Sequence, residues 1–374
     1  MKLATLILIA QGREEDPFAF IFNLLLIMMF LVIAIWGQKI QLSMILREIE
    51  YALTKIKVMR DEAKRLAMNK LTKMGCEREV AEKYANKFME YVVIEPVDLD
   101  PTGIIPKLDH LISVSDTRVR EEIATLTPEV GERERRNVEH LLEAAKELHT
   151  IYRTVRHYYI FSKRTSNYLI ALQIHALLPQ IMQSAEALMG AAHAFNFGHP
   201  IGDGIGALVA ARLMYGKEQR EVARDTLFTE YREGNVRYLV IKSKGPGGNV
   251  GKPGDAVSDV LKKYRKVDLV IMVDAGLKLE GEKTGEIFEG IGAAIGGIGV
   301  EKYKIEEEVT KRKIPIYGII IKMSIKEAIS PMTKEIANTA DKVVERIREI
   351  VKERMGEKGT VLVVGVGNTI GVGQ

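Results

Sequence analysis

Cysteine is almost missing: Cys76 is the only one in 374 residues. That excludes an internal disulfide framework and any multi-cysteine metal site. Histidine is sparse, with seven scattered residues and no HExxH spacing. A strong excess of charge of one sign is also lacking. The formal net charge is +4, and a nucleic-acid binder concentrates far more basic charge on one face. There is therefore no strong nucleic-acid signal. No Ser-His-Asp order and no GxSxG elbow occurs. Cys76 itself, in KMGCERE, sits where a helix junction is expected and reads as a small packing residue.

What is present begins with one long apolar run. Phe18 to Trp36 is about 19 residues with Asn23 as its single polar member, enough to span a hydrocarbon core of about 30 Å as a helix. Trp36 ends the run where an interfacial aromatic belongs. Glu14, Glu15 and Asp16 precede it, and Lys39, Arg47, Lys55, Lys57, Arg60, Lys64 and Arg65 follow. The positive-inside rule then predicts a single-pass protein of the cell membrane, held by membrane lipid, with its C-terminal domain in the cytoplasm. The shorter run Leu3 to Ala10 cannot span.

Past the anchor, apolar residues fall at Leu42, Ile45, Ile49, Ala52, Ile56, Met59, Ala63 and Leu66, with spacings alternating 3 and 4. This is a heptad seam. It predicts either a homo-oligomer paired through Leu42 to Leu66 or a long helix packed on another helix of the same chain. Gly75 is placed to end it. Helices are expected from about Glu77 to Tyr91, around Leu108 to Val114 and from about Glu132 to Phe161. The apolar stretch Asn167 to Phe195 looks like a second span, but Gln173, His175, Pro179, Gln180, Gln183, Ser184 and Glu186 argue for a buried helix instead.

From Val222 to Arg232 alternation with period two, then a turn, predicts a β-hairpin leading into Tyr238 to Asp274. The latter reads as strand, glycine-rich loop, helix and strand. The glycine-dense stretch Gly276 to Gly299 is expected to lie over the sheet's rim, followed by a helix from about Lys302 to Arg312, the strand IPIYGIIIK, a helix starting near Pro331 and a last strand GTVLVVG. The fold class is thus an α/β C-terminal domain, Rossmann-like with a mostly parallel sheet, behind an α-helical region with one N-terminal transmembrane helix. The expected organisation is anchor 1–37, coiled-coil-like stalk 38–96, helical subdomain 97–216 and α/β ligand-binding domain 217–374.

In such sheets ligands sit beyond the carboxyl ends of the strands. The residues there are Lys242, Lys244, Gly245, Gly247, Gly248, Asn249, Gly251 and Lys252 after the first strand, Asp274 after the second, and Asn368 and Thr369 after the last. The loop GPGGNVGKPGD is similar to a Walker A loop, but Pro246 replaces its first glycine and Pro253 its metal-binding hydroxyl. A true nucleoside triphosphatase is therefore disfavoured. The loop could still cradle a small anionic ligand, a nucleotide or phosphorylated metabolite, with Lys244 and Lys252 holding the charge. Asp274 is the candidate catalytic or metal-binding carboxylate, because a carboxylate ending a buried strand is costly unless used or paired. His199 and Asp203, in FGHPIGDG before a helix, are weaker metal candidates, and capping explains Asp203 as well. No cofactor is assigned.

The stretches GHPIGDGIGALVAARL, KGPGGNVGKPGDAV, VDAGLKLEGEKTG and GVGNTIGV, together with the anchor, resemble an uncharacterised archaeal family of membrane-anchored proteins over most of the chain. The resemblance implies lineage and topology, and transfers no activity or site residue. Two other functions stay open beside ligand binding: an oligomeric membrane scaffold without catalysis, and a metal-dependent hydrolase built on His199, Asp203 and Asp274.

Overall fold

The computed structural model describes residues 17–94, 96, 103–297 and 299–373. The expectations for Leu3 to Ala10 and for Glu14, Glu15 and Asp16 fall outside these residues. The chain divides into two compact units: residues up to Lys55 with Arg153–Gln180, and Ile56–Tyr152 with Ile181–Gln374. Three long helices contribute to both: α1 (Pro17–Lys73), α4 (Glu132–Thr165) and α5 (Tyr168–Phe197).

The first unit holds the start of α1. Among the described residues no single helix is long and apolar enough to cross a membrane. A pair, Phe20–Leu31 and Trp36–Lys73, bent by 40°, passes on length and composition together. Phe20, Leu24, Met28, Leu31 and Trp36 are all exposed. Further on, Leu42, Ile49 and Ala52 are buried, as are Val155 of α4 and Ala171 of α5. Leu169 and Leu177 of α5 remain exposed, so that helix is buried in its second half rather than throughout.

In the second unit Ile56, Ala63, Ala67 and Leu71 of α1 pack with α2 (Arg78–Met89), α3 (Ile104–Leu126), α4 and α5 into one helical core. The heptad seam is therefore filled within a single chain. Gly75, at φ 96°, ends α1 as the spacing predicts, and Cys76 is buried behind it. The helix expected at Leu108 to Val114 is much longer, 23 residues.

A seven-stranded sheet follows, in the order β1-β2-β3-β7-β4-β6-β5. Its strands are β1 (Arg220–Ala223), β2 (Thr226–Glu233), β3 (Asn235–Ser243), β4 (Leu269–Leu277), β5 (Ile287–Ile291), β6 (Ile316–Met323) and β7 (Lys358–Gly365). The four central strands are parallel, while β1, β2 and β5 pair antiparallel. The sheet is thus mixed where a mostly parallel one was expected, because the hairpin and an unforeseen edge strand both join it. One face carries α6 (Ile205–Met214) and α10 (Lys334–Met355) over Val240, Ile271 and Val363; the other carries α7 (Pro253–Lys263) and α8 (Val300–Arg312) over Ile241, Met272 and Val364. Alternate residues of each strand go to opposite cores, as a pleat covered on both faces requires. A short helix, α9 (Ile325–Ile329), closed by a Ser324–Glu327 capping box, precedes α10.

Candidate active site at the carboxyl edge of the sheet

Strand β7 inserts between β3 and β4, so Asp274 of β4 and the Val366–Thr369 tail of β7 become neighbours. Val366 N–H donates to the Val273 carbonyl at 2.9 Å. Helix α6 then closes on both. A Cβ on Gly206 would strike the Val273 and Val366 carbonyl oxygens, and one on Gly367, at φ 117°, would strike the Asp203 carbonyl. Only glycine permits this approach. It brings Asp203, in the 3₁₀ turn Gly202–Gly204, onto the strand ends, where its Oδ2 accepts the Asn368 N–H at 2.8 Å.

Asp203 and Asp274 open on one cavity of 370 Å³. Ile112, Val250, Ile295, Val300 and Val366 give it apolar walls, and Asp109, Asp116, Glu301 and Lys252 supply further charge. Asp274 is 8% exposed. Its Oδ1 accepts the Ala275 N–H at 2.8 Å and its Oδ2 the Gly296 N–H at 3.1 Å. Among the described residues neither aspartate has an ion-pair partner. Burial, and then the nearby Asp203 charge, push the Asp274 carboxyl up to about 8, against those two N–H groups. Burial also raises Asp203, which keeps only part of its surface open to the cavity, against the Asn368 N–H.

The remaining charges are arranged differently. Lys252 Nζ lies 3.1 Å from Asp109 and 3.7 Å from Glu301, and Lys304 lies 2.9 Å from Asp109. Burial opposes ionisation of Asp109, but its two lysine partners outweigh it and its carboxyl is lowered. Glu301 Oε1 is buried with no hydrogen-bond partner among the described residues. Burial raises both Glu301 and Asp116.

Of the loop residues expected to bind a ligand, Gly251 and Lys252 line the cavity and Lys244 does not: it pairs with Glu221 at 3.1 Å. Gly245 packs on Thr369 and Val372, Gly247 on Arg133. Gly248 is gripped at both ends, its N–H by Asn137 Oδ1 and its carbonyl by His140 Nε2, each at 3.0 Å. Asn249 is buried. The Thr369 hydroxyl lies 3.0–3.1 Å from the carbonyls of Lys244, Gly247 and Asn249, donating to one at a time. Asn368 Oδ1 accepts the Ile370 N–H at 3.0 Å. Most of the glycine loop is thus a packed strut of the cavity wall. Lys242 is wholly buried and outside the lining; burial draws it down to about 8, and its Nζ donates to the Ser243 carbonyl at 3.1 Å. His199 stacks on Phe197, 5.8 Å between ring centres, away from the cavity. Among the described residues no group of three His, Cys, Asp or Glu is placed to hold a metal ion. Asp109 and Asp116 were not anticipated, although Asp109, Ile112 and Asp116 share one face of a helix.

Residues 201–373 match the C-terminal domain of the family described as domain of unknown function DUF1512, and residues 23–198 match the N-terminal domain of that family. The chain belongs to the DUF1512 family. The two family domains meet between residues 198 and 201, so Asp203 and Asp274 both lie in the DUF1512 C-terminal domain, whereas Asp109 and Asp116 come from the N-terminal one. No curated protein matches the chain significantly.

Proposed function

We propose that the carboxyl-edge cavity is an active site in which Asp203 and Asp274 share one proton and hydrolyse a small, largely uncharged substrate. One observation carries this: a buried carboxyl, Asp274, and a half-buried one, Asp203, open on the same cavity, and among the described residues no cation pairs with either. Two such groups cannot both ionise cheaply, so near neutral pH one keeps its proton. The ionised partner then draws a proton from water as its oxygen attacks the substrate, and the protonated one delivers a proton to the leaving atom. An anion would find only Lys252, which already bridges Asp109 and Glu301, so the acidic lining favours neutral or cationic substrates over a phosphorylated metabolite. The test is a screen of uncharged esters, amides and short peptides with the full-length chain. Hydrolysis should decline as pH rises through about 8, where Asp274 loses its proton, and should vanish in Asp203→Asn and Asp274→Asn. Turnover surviving both substitutions in folded protein would contradict the assignment.

The start of α1 serves, in the same proposal, as a single-pass anchor with the rest of the chain in the cytoplasm. Its support is that nearly all the described apolar residues from Phe18 to Leu31 are exposed, which water does not tolerate as a free surface. Alkaline carbonate washing should leave the full chain in the membrane pellet and release a chain lacking residues 1–37. A scaffold assembled through Leu42 to Leu66 has less in its favour, since that seam is occupied within one chain.

A further inference from the structure

The larger concavity of the second unit lies at the opposite, amino edge of the parallel strands, where β3 and β7 begin. It is an open groove of 840 Å³. Seven of its lining residues are basic, while Asp268 is its one acid. The Asp268 carboxylate is already occupied by the Thr360 N–H at 2.8 Å.

Ordinary structural roles account for part of this charge. Lys263 and Arg354 stand in the last turns of α7 and α10, where a cation complements the helix dipole. Arg237 pairs with Glu230 at 3.4 Å. The other four are Arg232 of β2, Arg265 and Lys266 of the α7–β4 connection, and Lys358 at the start of β7. All four are exposed, and none has an ion-pair partner among the described residues. They come from three separate segments and converge only in the fold. Like charges brought together repel one another unless something of opposite sign sits among them.

We propose that this groove binds the phosphate groups of a polyanionic chain, a nucleic-acid backbone or polyphosphate, by charge and without base readout. Its concavity suits a chain laid into the groove better than a flat lipid surface. The one aromatic ring on the lining is engaged within the fold: Tyr264 packs on Phe228, 5.7 Å between centres, and its hydroxyl donates to Glu230. The exposed cations, rather than the base stacking that sequence-tolerant single-strand binders also use, thus carry the proposed contact. The small net charge of the whole chain conceals this cluster, because its members are distant in sequence and the acids that balance them lie elsewhere.

The test is fluorescence anisotropy of the full chain in mild detergent with a labelled mixed-sequence RNA oligonucleotide, a labelled DNA duplex and labelled polyphosphate, across a salt series. Binding should occur at low salt, weaken log-linearly as salt rises, and be indifferent to nucleotide sequence. Charge reversal at Arg232, Arg265 and Lys266 together should cost about tenfold or more in affinity and flatten the salt slope, with the thermal melt unchanged. The oligonucleotide and polyphosphate arms tell the two phosphate sources apart. No binding to any of the three, equal binding of polyglutamate, or an affinity that ignores the triple reversal would each overturn the proposal.

Discussion

The two edges of one sheet handle charge in opposite ways. At the carboxyl edge, carboxyls are buried or half-buried, most are raised by burial, and the one lysine on the lining is paired with Asp109 and Glu301. At the amino edge, cations stand in water and, among the described residues, several have no ion-pair partner. Buried charge is costly and must be matched to a use, whereas solvated charge costs little and acts through its sum. The same strands thus present a small, chemically tuned cavity at one end and a broad electrostatic surface at the other. Each end should fail in its own way when disturbed.

The largest effect is expected at Gly206. Gly206→Val would drive a side chain into the Val273 and Val366 carbonyls, lifting α6 from the strand ends. A loss of about 3 kcal/mol is expected in urea unfolding. A near-neutral result would mean that α6 does not hold Asp203 against the sheet in the way described.

Asp274→Asn should go the other way. A carboxyl whose folded value is about 8 and whose unfolded value is near 3.9 makes the fold less stable as pH rises from about 4 to about 8, and by a constant amount above that. Removing it should therefore stabilise the protein by on the order of 2 kcal/mol at neutral pH, less the hydrogen bond that Asn cannot accept, and give no gain at pH 4. Thermal melts of both proteins at the two pH values decide it. A destabilisation at both would mark Asp274 as a structural brace.

A smaller cost, about 1 kcal/mol, is expected for Thr369→Val, which leaves the loop carbonyls of Lys244, Gly247 and Asn249 without their hydroxyl. Proteolysis of the loop should speed up accordingly. The smallest effects belong to the amino edge, where single charge reversals at Arg232 or Lys266 should change unfolding free energy by less than about 0.5 kcal/mol while still weakening polyanion binding. A large stability change there would erase the contrast between the edges.

Much of this architecture was legible in the sequence, because hydrophobic period is local. The long helices, the hairpin and the buried strands all announce themselves, and Asp274 stands out as a carboxylate closing an apolar strand. What was not legible is pairing at a distance. Insertion of β7 between β3 and β4 sets Val366 beside Val273, and no local pattern encodes that. Strand β5 hid in a glycine-rich stretch with an exposed, non-alternating surface. The glycines of the β3–α7 loop suggested a phosphate cradle, yet several exist so that the backbone can pack against α4 and the β7 tail. Asp203 was expected as a helix cap, but its carboxylate instead accepts the Asn368 N–H, and its approach to the strand ends depends on Gly206 and Gly367 in the fold.

The central claim is that Asp203 and Asp274 hold one proton between them at the carboxyl-edge cavity. The direct measurement is carboxyl-carbon NMR of the full chain in detergent with labelled aspartate, titrated beside Asp274→Asn. One aspartate should remain protonated at neutral pH and titrate near 8, and that transition should disappear in the variant while the Asp203 resonance shifts to lower pKa. If every aspartate carboxyl has ionised below about pH 6, within the range of ordinary protein carboxylates, the pair does not share a proton and the proposed acid–base chemistry is wrong.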